Sequence, residues 1–160
     1  MTASDARFMA QALALGRRGM GQTWPNPAVG CLIVRKGRVV GRGWTQPSGR
    51  PHAETQALAM AGEAARGATA YVTLEPCAHH GKTPPCTDAL IAAGVARVVA
   101  PIADSDPRVA GQGFEKLRQN GIEVRTGVLA QEAMHDHAGF FLRVEHGRPW
   151  LTLKLAMSVD

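Results

Sequence analysis

Two hydrophobic periods alternate along this chain. Phe8, Ala12 and Leu15, with Met9 and Leu13 beside them, fall on one helical face. Ser4 or Asp5 can cap that helix, which runs to about Arg18 before Gly19 stops it. Two prolines in Thr23-Trp24-Pro25-Asn26-Pro27 forbid helix and present Asn26 on a stiff, extended loop. The period then shortens. Val29 to Arg35 and Arg38 to Trp44 read as strands joined by a tight Lys36-Gly37 turn, and the first is apolar enough to be buried on both faces. The loop Thr45 to Pro51 delivers His52 to a helix reaching about Ala65, and a strand from Ala70 to Leu74 runs straight into Glu75-Pro76-Cys77. After the polar loop Ala78 to Pro85 come a short helix (Thr87 to Ala93), a strand (Val95 to Ala100) and a helix from Gly113 to Gln119. A strand from Ile122 to Arg125 and a helix from about Ala130 to Val144 follow. Strands alternating with helices imply an α/β protein, a three-layer α/β/α sandwich with a mixed central sheet. Trp150 to Leu155 reads as one more strand. The expected division is therefore a domain over residues 1–145, with 146–160 a linker and the cut first strand of another domain.

Composition narrows the class without changing this picture. With 160 residues, 45% hydrophobic and 19% charged, the chain can form one domain with a full core. The net charge of +5 invites a nucleic-acid reading. Against it, the arginines are scattered, and one Tyr and four Phe leave little for base stacking. No nucleic-acid partner is expected, and no apolar run is long enough to span a bilayer. Met1 to Asp5 lacks the basic-then-apolar pattern of a secretory leader, and three cysteines are an odd count for a disulfide scaffold; both favour a reduced, cytoplasmic protein.

Chemistry concentrates in His52-Ala53-Glu54, Glu75-Pro76-Cys77 and Pro84-Pro85-Cys86. An imidazole and two thiolates are zinc ligands, and three protein ligands leave the fourth tetrahedral position open for water. Glu54 follows the imidazole by two residues. Residues two apart do not face each other on a regular helix, so His52 must stand at the helix entry and Glu54 in the first turn for both to reach one metal. Cys86 at a helix start lies where the dipole favours a thiolate. The competing reading is a closed structural knuckle with His79 or His80 as fourth ligand, which leaves Glu54 without a task. Otherwise His79 and His80 frame the site as loop residues. Cys31 reads as a small core residue, and His135 and His137 as surface or interface residues.

The His-x-Glu and Pro-Cys elements match the zinc-deaminase signature, but eight residues separate Cys77 from Cys86 where that signature has two. The runs Thr23 to Gly30, His52-Ala53-Glu54 and Tyr71 to Cys86, with Arg108 to Gly111 and Leu153 to Asp160, resemble the deaminase half of the bifunctional riboflavin-biosynthesis deaminase/reductase family. The resemblance implies a cytidine-deaminase-like fold. It also implies zinc-dependent deamination of 2,5-diamino-6-ribosylamino-4(3H)-pyrimidinone 5′-phosphate to 5-amino-6-ribosylaminouracil 5′-phosphate and ammonia. His52, Cys77 and Cys86 would be the zinc ligands, Glu54 the proton shuttle, Asn26 a pyrimidine contact and Lys82 a phosphate contact. Asp104 and Asp106 would help to hold the substrate, although the family's Asp-Pro-Asn-Pro reads Asp104-Ser105-Asp106-Pro107 here. Thr45 stands where many relatives have a substrate-binding histidine, and Arg50 where they often have glutamate. NADPH belongs only to the reductase domain, which this chain does not carry. The partners implied are a small phosphorylated aminopyrimidine and that C-terminal reductase domain; a homodimer is compatible with the residues. A non-catalytic zinc-binding or nucleic-acid module, or a deaminase of deoxycytidylate or guanine, remains the alternative.

Overall fold

In the computed structural model, which describes residues 2–81, 83–105 and 110–158, five strands form one sheet among the described residues. They are β1 (Gly30–Arg35), β2 (Arg38–Trp44), β3 (Thr69–Val72), β4 (Arg97–Val99) and β5 (Glu123–Arg125), in the order β2-β1-β3-β4-β5. β1 pairs antiparallel with β2 and β3, whereas β3–β4 and β4–β5 are parallel, so the sheet is mixed as expected. Lys36 and Gly37 both have positive φ (49° and 74°), the two-residue turn whose twist matches that of its strands.

Alternation along the strands gives the sheet two apolar faces. Cys31 and Ile33 of β1, Ala70 and Val72 of β3 and Val98 of β4 face one way. Against them lie α2 (Ala53–Ala61), α3 (Cys86–Ala92) and α4 (Gln112–Gln119), through Ala57, Leu90 and Leu117. Leu32, Val34, Tyr71 and Val99 face the other way, towards Phe8, Met9, Ala12 and Leu13 of α1 (Ala3–Gly16) and Ala133 of α5 (Ala130–His146). That is the three-layer sandwich.

One packing contact positions the site. A Cβ on Gly41 would lie 2.1 Å from the Ala57 carbonyl oxygen, and one on Gly43 2.3 Å from that of Ala53. Only glycine lets the α2 backbone rest so close to β2, and Ala53, Ala57 and Ala61 keep the facing side of the helix equally thin.

Three expectations are corrected. The cap of α1 is Thr2, whose hydroxyl accepts from the Asp5 N–H at 3.2 Å. Asp5 is instead buried, taking hydrogen bonds from Arg97 (2.8 and 3.2 Å) and Tyr71 (2.9 Å), because its helix face turns towards the sheet. His137 is buried, not superficial: its Nε2–H donates to the Thr73 carbonyl at 3.2 Å, and burial pushes its pKa down to about 4, so the ring is neutral. His135 is exposed, as expected. The predicted strand at Trp150 to Leu155 has no regular structure. Leu151, Leu153, Leu155 and Met157 alternate as a strand would, yet all are at least 70% exposed, because no sheet edge receives them. Val159 and Asp160 lie outside the described residues.

Two outcomes follow for stability. The Arg97 hydrogen bond, reinforced by Tyr71, holds the Asp5 carboxyl well below the usual carboxylate range. A depressed folded-state pKa gives stability that is present above the unfolded value of about 4 and lost as pH falls through the folded value. Asp5→Ala should therefore cost about 3 kcal/mol in urea denaturation at pH 7, with a smaller penalty in strong acid. A pH-independent penalty would exclude the ion pair as its source. Removing residues 151–160 should shift the melting temperature by less than about 2 °C, since residues 151–158 are exposed.

Candidate active site

Three segments converge beyond the end of β3. His52 immediately precedes α2 with extended backbone, Cys77 lies five residues past β3, and Cys86 is the first residue of α3. One nitrogen and two sulfurs from these residues all lie within 4.8 Å of one another. His52 Nδ1 is 3.2 Å from Cys86 Sγ and 3.8 Å from Cys77 Sγ, so Nδ1 faces both thiols. Glu54 occupies the first turn of α2, 4% exposed, with the Cys86 thiol as a hydrogen-bond partner. The placement of imidazole at the helix entry and carboxylate in the first turn is the one the spacing required.

These groups polarise one another. Burial raises the pKa of Glu54, and the nearby Cys77 adds to this. The hydrogen bond with Cys77 raises His52 against the opposing effect of burial. The two thiols act on each other in opposite senses: the Cys86 thiol lowers the pKa of Cys77, and Cys77 in turn raises that of Cys86. Cys86 opens α3, as expected, and its backbone N–H donates to Cys77 Sγ at 3.3 Å, so this helix-end donor also acts on Cys77.

The donor set fits zinc, and among the described residues no fourth His, Cys, Asp or Glu joins it. His79 and His80 are exposed, and neither completes a closed knuckle. His52, Glu54 and Cys77 line a cavity of about 450 Å³ whose wall also carries Asn26, Thr45, Arg50, His79 and Asp104. Asn26 directs its amide nitrogen to the Gly49 carbonyl and to His52 Nε2, each at 3.1 Å. The Thr45 hydroxyl accepts from the Val29 N–H at 3.0 Å, so this side chain also holds the floor of the cavity together. Arg50 hydrogen-bonds the Thr83 hydroxyl and thereby ties the 45–51 loop to the loop between the cysteines. Lys82, Asp106, Arg108 and Val109 lie outside the described residues.

Two features escaped the sequence reading. Phe140, Arg143 and Val144 of α5 form a further wall, and Arg143 Nη2 donates to the Pro25 carbonyl at 2.6 Å. Nothing in the helical period of α5 marks that contact. The second is Glu75, 6% exposed, which accepts from the backbone N–H groups of Asp104, Gly111, Gly113 and Phe114. A lone carboxylate directly after a buried strand was the available signal.

Residues 2–102 match the family model described as the cytidine and deoxycytidylate deaminase zinc-binding region. The chain belongs to this family. It is 49% identical over 146 residues to the diaminohydroxyphosphoribosylamino-pyrimidine deaminase of Buchnera aphidicola, covering 91% of this chain and 99% of that relative. It is 57% identical over 156 residues to the riboflavin biosynthesis protein RibD of Escherichia coli, covering 98% of this chain but 42% of that relative. Among solved structures, Acinetobacter baumannii RibD superposes with a TM-score of 0.88 at 48% identity, over 92% of this chain and 41% of the other. The chain thus spans about 42% of the length of the RibD protein of Escherichia coli and nearly all of the Buchnera deaminase. It is a zinc-binding deaminase domain with a cytidine-deaminase-like fold. Among the described residues no helix is long and apolar enough to cross a membrane.

The cluster predicts metal behaviour. The purified protein should hold about one zinc per chain. Cys77→Ser or Cys86→Ser should strip it, while Cys31→Ser, altering a fully buried core thiol, should retain it. Metal analysis with the opposite pattern would reject the ligand set.

Proposed function

We propose that this domain hydrolytically deaminates 2,5-diamino-6-ribosylamino-4(3H)-pyrimidinone 5′-phosphate at ring carbon 2, releasing ammonia and 5-amino-6-ribosylaminouracil 5′-phosphate. The observation that carries the reading is the buried Glu54 carboxylate beside the His52, Cys77 and Cys86 donors, at a cavity of about 450 Å³. The extent of the match to a relative named for this pyrimidine deaminase supports the substrate.

His52, through the Nδ1 that faces both thiols, would hold zinc together with Cys77 and Cys86. The chemistry zinc supplies when bound is a lowered pKa for water, which makes a nucleophile available near neutral pH. Glu54 moves the protons. Its burial raises proton affinity, which suits a carboxylate that takes a proton from water, passes one to the ring nitrogen and delivers one to the leaving amine. The water oxygen bonds to the ring carbon, the exocyclic carbon–nitrogen bond breaks, and nitrogen leaves as ammonia. Asn26 faces the pyrimidine from the cavity wall. Asp104 and Asp106 hold the sugar side, Thr45 supports the floor, and Lys82 with Arg50 meets the phosphate. Residues 146–160 would lead into a C-terminal reductase domain, where NADPH acts and where the alternating 151–157 stretch would find its strand partner. Three free thiols suit the reducing cytoplasm.

The deciding experiment measures ammonia release from a panel containing the phosphorylated aminopyrimidine, its dephosphorylated form, deoxycytidylate and guanine. Turnover should be confined to the first. A preference for deoxycytidylate or guanine would reject the substrate while keeping the reaction. Glu54→Gln should keep zinc and fold but lower kcat by at least about 10²–10⁴-fold, the range of general acid–base groups. Near-normal turnover in a zinc-loaded Glu54→Gln protein would remove Glu54 from the mechanism.

A further inference from the structure

Glu75 is the buried carboxylate that the mechanism above leaves without a task. A carboxylate offers about four acceptor positions, and among the described residues four backbone N–H groups donate to this one. Oε2 accepts from Asp104 at 3.1 Å and from Gly111 at 2.9 Å, so one oxygen holds both backbone positions. Oε1 accepts from Gly113 at 2.8 Å and Phe114 at 3.2 Å, N–H groups in the first turn of α4 that have no partner within the helix. The approach is close enough to demand glycine: a Cβ on Gly113 would lie 2.1 Å from the Pro76 carbonyl oxygen. Glu75 and Pro76 immediately precede Cys77, and Asp104 stands on the cavity wall with Glu54 and Cys77.

We propose that Glu75 is a positioning residue that fastens Asp104 and the start of α4, from Gly111 to Phe114, to the cysteine loop, and so fixes Asp104 against the substrate. Its kinetic consequence rests on the deaminase reading above; the clamp itself does not. A carboxamide cannot replace it. Glutamine keeps one acceptor oxygen, but its NH₂ would confront two N–H donors, and that half of the clamp must open. Freeing these backbone positions should weaken substrate holding more than it alters proton transfer at Glu54, because Glu75, although it lines the same cavity, directs its carboxylate to the backbone N–H groups of Asp104, Gly111, Gly113 and Phe114.

The test has two arms. In the unaltered protein, the amides of Asp104, Gly111 and Gly113 should exchange hydrogen at least about a hundredfold more slowly than an unstructured chain. Exchange within about threefold of the unstructured rate would overturn the clamp. In Glu75→Gln, zinc content should be unchanged and kcat should stay within about threefold. KM for the phosphorylated aminopyrimidine should rise about ten- to a hundredfold, the scale expected when a positioning element shifts by about 1 Å. An unchanged KM, a loss carried mainly by kcat, or loss of zinc would each overturn the positioning role. Should Glu75→Gln fail to fold, Gly113→Ala attacks the same junction from the helix side and should show the same KM-weighted loss. Ammonia release by the unaltered protein is measured first. Its absence overturns the function proposed above, and the clamp is then decided by whether Asp104 and Gly111 lose amide protection in Glu75→Gln.

Discussion

Because Gly41 and Gly43 present no side chain towards α2, the Ala53 and Ala57 carbonyls occupy space that a Cβ would otherwise fill. Backbone meets backbone there, and the helix has little freedom to slide or rotate. His52 and Glu54 stand at the first turn of that helix, so their positions relative to the sheet are inherited from this contact. The other two donors arrive from β3 and α3, elements packed in the same apolar cluster as α2. The site's geometry is thus a by-product of how one face of the sheet is covered.

That rigidity is needed because the site concentrates groups that resist being together. Cys77, Cys86 and Glu54 can each carry negative charge, and all are largely removed from water. The opposed shifts of the two thiols and the raised proton affinity of Glu54 and His52 are the responses of these groups to burial and to one another. A divalent cation relieves the same stress from the other side, which couples metal binding to the stability of the surrounding fold. The N–H of Cys86, aimed at Cys77 Sγ, is the fixed backbone contribution to that balance.

Local patterns announced most of the architecture. The apolar run of β1, the Lys36-Gly37 turn and the two-residue offset between His52 and Glu54 are written in consecutive residues, and each appears where its pattern placed it. Features set by partners far along the chain did not announce themselves. Asp5 looked like a helix cap because its partner Arg97 is 92 residues away. His137 reads as polar in sequence, yet the Thr73 carbonyl that accepts from its ring N–H lies just past β3, 64 residues earlier. The alternating Leu151 to Met157 stretch illustrates the reverse case. Its strand period is plain, but a strand needs a neighbour, and no edge in this sheet takes it up.

The eight-residue spacing between the cysteines can be weighed in the same terms. Lengthening a loop from two residues to eight costs about 1 kcal/mol in closure entropy, because the penalty grows only logarithmically. The loop's ends are closed independently of its length: the Cys86 N–H donates to Cys77 Sγ, and the Thr87 N–H donates to the Cys77 carbonyl at 3.2 Å. A modest entropic cost set against two hydrogen bonds at the base leaves the intervening residues free to take another role. His79 accordingly reaches the cavity wall, and Thr83 engages Arg50 from the 45–51 loop. The longer spacing therefore carries the donor-bearing segment out to the cavity wall at His79 and to the 45–51 loop at Thr83, while the two hydrogen bonds at its base hold Cys77 and Cys86 together.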